Sequence, residues 1–250
     1  MRLLLLNPNT TGAVTDRLME AARVVAAPTT RLVPLTATRG VPYIATRAEA
    51  QIGGAIALEM LAEHHRDADA AIIAAFGDPG LLGARELFDI PVIGMAEAAM
   101  LTACTLGRRF AIVTFARALG PWYEECVAMH GLTGRCAGIS MLDGAFRSIS
   151  DVQEEKESLI VDLAHRSITE HEADVVILGG APLAGLAAKV RDRIPVPVVD
   201  QVQAAVKMAE AVVALAPRKA TTGTFRRPDA KSAVGLSDAL GRRISHQDDA

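Results

Sequence analysis

Cysteine is scarce in this chain of 250 residues. Its three cysteines, Cys104, Cys126 and Cys136, form neither a disulfide framework nor a spacing typical of a metal site. We therefore expect a reduced, cytoplasmic protein without a metal site. Each cysteine is expected to serve as a small hydrophobic residue rather than in catalysis.

The sequence also lacks a strong excess of charge of either sign and any long apolar run. Its net charge is −3, from 26 basic and 29 acidic residues, and it has no clustered basic face of the kind that binds nucleic acid or a membrane surface. No apolar run approaches the roughly 18 residues that cross a bilayer. The opening MRLLLLNPNTTG is short for a secretory signal and lacks a small-residue cleavage site. We interpret it as a buried first strand.

Half of the residues are hydrophobic, and they occur in short runs separated by helical patterns. Runs that are almost continuously apolar are typical of parallel strands covered on both faces. Val202, Val206 and Ala209 belong to an i, i+3/i+4 stripe that predicts a helix over 201–216. The alternation predicts a parallel α/β fold. The predicted strands are residues 3–7, 70–75, 110–114, 174–180 and 195–200.

A weak internal repeat divides the chain in two. The stretch ADAAIIAAFGDPGLLG (68–83) aligns with ADVVILGGAPLAGLAA (173–188), 105 residues further on. Residues 90–95 align with 194–200 at nearly the same offset. The near-constant offset predicts two pseudo-symmetric lobes, each a small parallel sheet with helices on both faces.

Two predicted helix starts lie 104 residues apart, close to this offset. Thr46 with Glu49, and Ser150 with Gln153, have the spacing of a capping box. Each pair therefore predicts a helix that begins at the equivalent place in its lobe.

Four loops follow predicted strands and precede predicted helices: 7–12, 76–80, 114–120 and 179–185. In open parallel sheets, ligands bind beyond the carboxyl ends of strands, and exposed N–H groups at helix starts attract anions. Any one loop could merely cap a helix or turn the chain, but four converging loops favour a binding site. The candidate ligand-binding residues are Asn9, Thr10, Ala75, Phe76, Gly77, Thr114, Arg117, Gly180 and Ala181.

The motifs NPNTT, FGDPGL, IPVIGMAEAAM and LGRRFAIVTF together resemble the hydantoin and allantoin racemases of the aspartate/glutamate racemase superfamily, over roughly residues 1–230. The resemblance implies two lobes with a ligand cleft between them, no cofactor or metal, and a homo-oligomer. It also implies that the last helix returns to the first lobe. Residues 1–97 and 200–216 would then form the first lobe, 98–199 the second lobe, and 217–250 a polar C-terminal tail.

The tail is rich in glycine, proline and basic residues, with little periodicity. We expect it to be extended or partly disordered to about residue 228. A tail that wraps a neighbouring subunit is the alternative.

Members of this family use two cysteines, one from each lobe, on opposite faces of the substrate. One thiolate removes the proton on the α-carbon and the other thiol returns it from the far side. The resemblance places these cysteines at Ala75 and Gly180, and the 105-residue offset pairs the same two positions. Both thiols are absent, so two-thiol racemisation is not available to this sequence.

Few other groups near the expected cleft could move a proton. Asp78 is the one ionisable residue within the two aligned corners; it most simply forms a turn and accepts backbone N–H bonds, and it is a weak catalytic candidate. Tyr123 could donate its hydroxyl to an oxyanion, with helix packing as the alternative, and Tyr43 could line the cleft. His130, like the other histidines, is expected at a helix end or on an exposed face.

These observations predict a hydantoin or amino-acid racemase-like protein that binds a small carboxylate or ureide in the interlobe cleft. The expected activity is that of a divergent, cofactor-independent isomerase without the two-thiol mechanism. The alternatives are a non-catalytic small-molecule-binding relative, a decarboxylase or lyase of the same superfamily, and an engineered cysteine-less racemase.

Overall fold

The computed structural model describes residues 1–143, 147–149 and 151–248 of the chain. Within them, strands and helices alternate. The strands are β1 (Arg2–Asn7), β2 (Arg31–Thr36), β3 (Ala70–Ile73), β4 (Val92–Gly94), β5 (Phe110–Thr114), β6 (Cys136–Met141), β7 (Val175–Leu178) and β8 (Val198–Asp200). The α-helices are α1 (Gly12–Val25), α2 (Arg47–His64), α3 (Leu81–Leu87), α4 (Met95–Leu106), α5 (Gly120–Met129), α6 (Val152–His171), α7 (Leu186–Val190), α8 (Gln201–Ala214) and α9 (Asp238–Ile244).

The strands form two four-stranded parallel sheets with the same internal order. The first sheet runs β2-β1-β3-β4 and the second β6-β5-β7-β8. Each half of the chain therefore places its first strand between its second and third. The prediction of an α/β fold with two pseudo-symmetric lobes is confirmed. None of the described helices is both long enough and apolar enough to cross a membrane.

Strand β1 shows why its sequence is a continuous apolar run. Leu3 and Leu5 pack into a core that extends through both lobes, whereas Leu4 and Leu6 pack into a second core on the other face of the first sheet. All four leucines are fully buried. A strand with two covered faces has no place for a polar residue, which is what made it recognisable in the sequence.

Two helices cross between the lobes. Helix α4 follows the last strand of the first sheet but packs against β7 and β8 of the second. Helix α8 follows the last strand of the second sheet but packs against β3 and β4 of the first, and against α1 and α4. This exchange of helices joins the two lobes. Helix α8 packs on the first sheet, and the predicted lobe division likewise assigns residues 200–216 to the first lobe.

Strand β2 is absent from the predicted strands. It is an edge strand, half-buried along its length, with Arg31 and Pro34 in its sequence. Proline is tolerated in a sheet at an edge, where its missing N–H is not required. The resulting mixed pattern carries too little apolar periodicity to be recognised.

The capping box at Thr46 and Glu49 is present at the start of α2. Ser150 of the second predicted box lies outside the described residues. Its predicted partner Gln153 uses its side-chain amide elsewhere, donating to the carbonyls of Pro182 and Ala184. These two hydrogen bonds connect α6 to the loop that follows β7.

The C-terminal tail folds back on the first lobe. Residues 217–237 contain no helix or strand, in keeping with the extended course expected there. Helix α9 was not predicted: it packs against α2, and its Leu240 joins the second core. The sequence pattern does not reveal α9 because the helix is short, and its order comes from contacts with distant residues rather than from its own periodicity.

Candidate functional site

The two corners that follow β3 and β7, residues 74–80 and 179–185, have the same backbone design. Gly80 and Gly185, 105 positions apart, have φ angles of +80° and +81°, and each immediately precedes a helix, α3 or α7. That conformation favours glycine because a Cβ would be strained there. The internal sequence repeat, residues 68–83 and 173–188, therefore corresponds to a repeat of backbone geometry.

The corners meet across the lobe boundary. A Cβ placed on Gly179 would lie 3.2 Å from the ring of Phe76, and a Cβ on Gly77 would overlap the indole of Trp122. Each corner thus packs against an aromatic ring from the other half of the chain.

A small cavity lies between the corners, and Ala75 and Gly180 both border it. Its volume is about 20 Å³, which is room for about one water molecule. A ligand the size of a hydantoin needs more space than this cavity has. The other lining residues are Asn9, Val14, Tyr43, Ile44, Phe76, Phe115, Trp122, Ile149, Ala181 and Pro182.

One hydroxyl-bearing ring lines this cavity and a second is buried behind its wall. Tyr43 lines it, and the hydroxyl of the buried Tyr123 lies 3.4 Å from the position that a Cβ on residue 180 would take. Burial raises the pKa of both phenols, with a smaller contribution from Glu49 at Tyr43. Both are therefore neutral hydrogen-bond donors near pH 7 and poor bases.

The backbone of Gly180 is held by a residue that the sequence reasoning missed. Its N–H donates to Oε1 of Gln201 over 2.9 Å, and Nε2 of Gln201 donates back to the Gly180 carbonyl. Gln201 is the first residue of α8 and is fully buried. The Gly180 N–H is therefore engaged by the protein, and no pattern in the sequence pointed to this contact.

Other predicted ligand-binding residues lie away from the cavity. Arg117 is exposed and makes a two-point ion pair with Asp143, at 2.5 and 3.0 Å. The backbone N–H of Thr10 donates to the Val41 carbonyl, and Gly77 borders a neighbouring groove. Thr114 is fully buried beside Tyr123.

Asp78 organises the start of α4. Its two carboxylate oxygens accept the backbone N–H groups of Ala96 and Glu97, each over 2.8 Å. This agrees with the simplest interpretation of its sequence, an acceptor for backbone N–H bonds. Its left-handed φ of +51° is held in place by these contacts.

His130 joins Asp78 to Glu97 across the lobes. Its Nε2 lies 3.0 Å from Asp78 and its Nδ1 lies 3.4 Å from Glu97, which is also paired with Arg85. Burial alone would lower the pKa of His130, but the hydrogen bonds to both carboxylates outweigh that effect and raise it to about 9. Burial alone would raise the pKa of Glu97, but His130 and Arg85 lower it to about 2. His130 ends α5, one of the two places expected for the histidines, and 4% of its side chain is exposed.

Two grooves flank the central cavity, one beside each corner, and they are related by the same pseudo-symmetry as the lobes. The corner 1 groove is bordered by the first corner, α2 and α5, and the corner 2 groove by the second corner, α6 and α1. The residues of α5 that line the first groove, Trp122, Glu125, Cys126 and Met129, correspond at an offset of 105 to the residues of α1 that line the second, Arg17, Glu20, Ala21 and Val24.

The comparisons with known proteins agree with this architecture. The Asp/Glu/Hydantoin racemase family model matches residues 3–209. The hydantoin racemase of Paenarthrobacter aurescens is 31% identical over 233 residues, covering 92% of this chain and 99% of that protein. The hydantoin racemase of Rhizobium meliloti is 31% identical over 236 residues, covering 94% and 98%.

Solved structures show the same arrangement. Allantoin racemase from Klebsiella pneumoniae superposes with a TM-score of 0.90 at 34% identity, covering 96% of this chain and 99% of that chain. Arylmalonate decarboxylase superposes with a TM-score of 0.60 at 15% identity, covering 98% and 100%, and so shares the fold alone. Two parallel sheets with facing corners thus define a two-lobed protein of the racemase fold. The chain belongs to the Asp/Glu/Hydantoin racemase family.

Proposed function

We propose that this protein binds a small ureide or carboxylate between its lobes and acts on it as a cofactor-independent isomerase, without two-thiol chemistry. The observation that carries the proposal is that Ala75 and Gly180, one from each corner, border a single cavity. Family membership supplies the reaction class, since the relatives are named hydantoin and allantoin racemases.

Tyr43, which lines the cavity, and Tyr123, whose hydroxyl lies next to Gly180, favour stabilisation of negative charge over proton removal. Tyr43 and Tyr123 are neutral donors because burial raises the pKa of each phenol. Donors aimed at a developing enolate oxygen lower the barrier to loss of the neighbouring α-proton. In this mechanism Tyr123 donates a hydrogen bond to the ligand oxygen on the Gly180 side, one water molecule takes the α-proton, and a water molecule on the opposite face returns a proton to the α-carbon.

Enolate formation without a positioned protein base implies slow turnover. A positioned base contributes roughly 10²- to 10⁴-fold to a rate, and neither Ala75 nor Gly180 can provide one. Exchange of the α-proton should therefore persist after all three cysteines are blocked with a thiol reagent.

A second candidate function is decarboxylation or a related lyase reaction. The position of the Tyr123 hydroxyl beside residue 180 favours it, because loss of CO₂ leaves a carbanion that needs one proton from one side and no base beforehand. The product would then form as a single enantiomer.

The test is incubation of D- and L-hydantoins and of allantoin in deuterated water, followed by NMR for α-carbon exchange and by optical rotation. We expect slow exchange that falls by roughly tenfold or more in Tyr123→Phe, since one oxyanion donor is lost. Arylmalonates in the same assay report on decarboxylation. Thermal-shift measurements on the same compounds report binding separately.

Three results separate the alternatives. A thermal shift without exchange or CO₂ release identifies a non-catalytic binding relative. Exchange that is unchanged in Tyr123→Phe removes Tyr123 from the mechanism. No thermal shift and no turnover with any compound contradicts the proposal. Assembly as a homo-oligomer in the cytoplasm stays a prediction.

A further inference from the structure

Three side chains with metal-binding atoms meet beside the first corner. Asp78 comes from that corner, and Cys126 and His130 come from α5 and its end. Their ligand atoms all lie within 4.8 Å of one another. We propose that the Asp78–Cys126–His130 triad binds a divalent cation of the zinc type, outside the central cavity.

The donor set and its spacing suit zinc. Zinc in proteins takes thiolate, imidazole and carboxylate ligands, with bonds of about 2.0–2.3 Å and a tetrahedral arrangement. Two ligands at about 2.0 Å from a tetrahedral ion lie about 3.3 Å apart, and Nε2 of His130 is already 3.0 Å from Oδ2 of Asp78. Cys126 lies in the last turns of α5, and His130, which ends the helix, donates its backbone N–H to the Cys126 carbonyl, so the two residues are adjacent.

The surroundings of His130 provide the second feature of a metal site. A histidine that binds a metal through one nitrogen usually donates its other N–H to a carboxylate, which orients the ring. Nδ1 of His130 faces Glu97 at 3.4 Å. Arg85 in turn donates to both carboxylate oxygens of Glu97 through its two terminal guanidinium nitrogens. Asp78 is likewise fixed by two backbone N–H groups, so two of the three ligands are oriented in advance.

The corner 1 groove gives access. It has a volume of about 520 Å³ and is bordered by both Asp78 and Cys126. Water from the groove can fill the fourth coordination position. Binding releases the Cys126 thiol proton and the His130 Nε2 proton to solvent. One carboxylate and one thiolate then balance the charge of the cation.

The test uses Co²⁺ as a spectroscopic replacement for zinc, added to chelator-treated full-length protein at pH 8. We expect one Co²⁺ per chain, a thiolate-to-cobalt absorption band in the near ultraviolet, and loss of both signals on addition of Zn²⁺. Cys126→Ser should remove the thiolate band. Cys104→Ser and Cys136→Ser are matched controls that should keep it, since neither thiol belongs to the triad.

Two further measurements keep the outcome independent of any folding defect in Cys126→Ser. Glu97→Gln should retain the band but weaken Zn²⁺ affinity by roughly 10- to 100-fold, as expected when the partner of a ligating histidine is altered. In the unmodified chain, Zn²⁺ should protect Cys126 from alkylation, as mapped by mass spectrometry. The proposal is overturned if the unmodified chain shows no thiolate band, or if the band follows Cys104 or Cys136 instead.

Discussion

Gly180 and Ala75 occupy equivalent positions, but their backbones differ. Gly180 has a φ of +116°, and a Cβ there would lie 2.7 Å from the ring of Phe115. Its N–H and carbonyl are both bonded to Gln201. Ala75 carries a side chain in an ordinary conformation at the cavity wall. A thiol could be added at position 75 by substitution alone, whereas at position 180 the backbone would also have to change.

This difference predicts unequal tolerance to substitution. Gly180→Ala should lower the free energy of unfolding by roughly 1–3 kcal/mol, the usual cost of a side chain in a disfavoured backbone region. Gly134→Ala is the control and should change it by less than about 0.5 kcal/mol, because nothing lies within 4 Å of its Cβ position. Urea unfolding measures both variants. Equal stability of the two variants would show that the corner at residue 180 relaxes without cost.

Arg243 of helix α9 makes several polar contacts with the first lobe and the C-terminal residues. The Arg243 side chain is 2% exposed; it donates to the Leu87 carbonyl, pairs with Asp89 and Asp248, and lies over the ring of Phe88. A buried guanidinium requires such partners, because an unpaired charge in the interior is strongly unfavourable. The order of a seven-residue helix therefore depends on these contacts.

Acid should release this helix. Burial alone would raise the pKa of Asp248, but Arg243 and Arg227 hold it below its ordinary value of 3.8. The resulting stabilisation is present above about pH 4 and is lost as the pH falls through the lowered pKa. Asp248→Asn should therefore reproduce the effect at neutral pH, increasing hydrogen exchange in α9 by roughly 10- to 100-fold.

Hydrogen exchange followed by mass spectrometry, at pH 7 and pH 3, measures this effect. Asp229→Asn is the matched control, since Asp229 pairs with Arg226 at an exposed site and such pairs contribute little. Unchanged protection of α9 in Asp248→Asn would mean that Leu240 and its apolar contacts hold the helix alone.

The exchange of α4 and α8 makes the two lobes dependent on each other. Each sheet is covered by a helix that comes directly after the last strand of the other sheet. One hydrophobic core extends through both lobes. We therefore expect that neither lobe folds independently, although each has a complete sheet of its own.

Two truncations test this dependence. A chain ending after residue 199 loses α8 and exposes the faces of β3 and β4 that it covers, so we expect a dye-binding, partly unfolded product. A chain ending after residue 216 keeps α8 and should stay folded, with a lower melting temperature because Leu240 and Arg243 no longer cover the second core. Circular dichroism and a hydrophobic dye distinguish the two. A well-folded 1–199 chain would show that α8 is dispensable.

Local sequence patterns were sufficient to predict the fold class and the internal repeat. Leu3–Leu6 identifies a strand covered on both faces, and the offset of 105 residues identifies the matching corners, because both signals report the burial and backbone needs of their own segment. The same internal alignment pairs Ala75 with Gly180, the two positions at which the family resemblance places cysteines.

Contacts between distant segments were decided by packing. His130 meets Asp78 from 52 residues away, Gln201 reaches Gly180 from the start of a helix, and Arg243 orders α9 against residues more than 150 positions earlier. A sequence pattern describes which face of a segment avoids water. Which partner that face or a polar group finds depends on how whole elements pack, and only the folded chain specifies that.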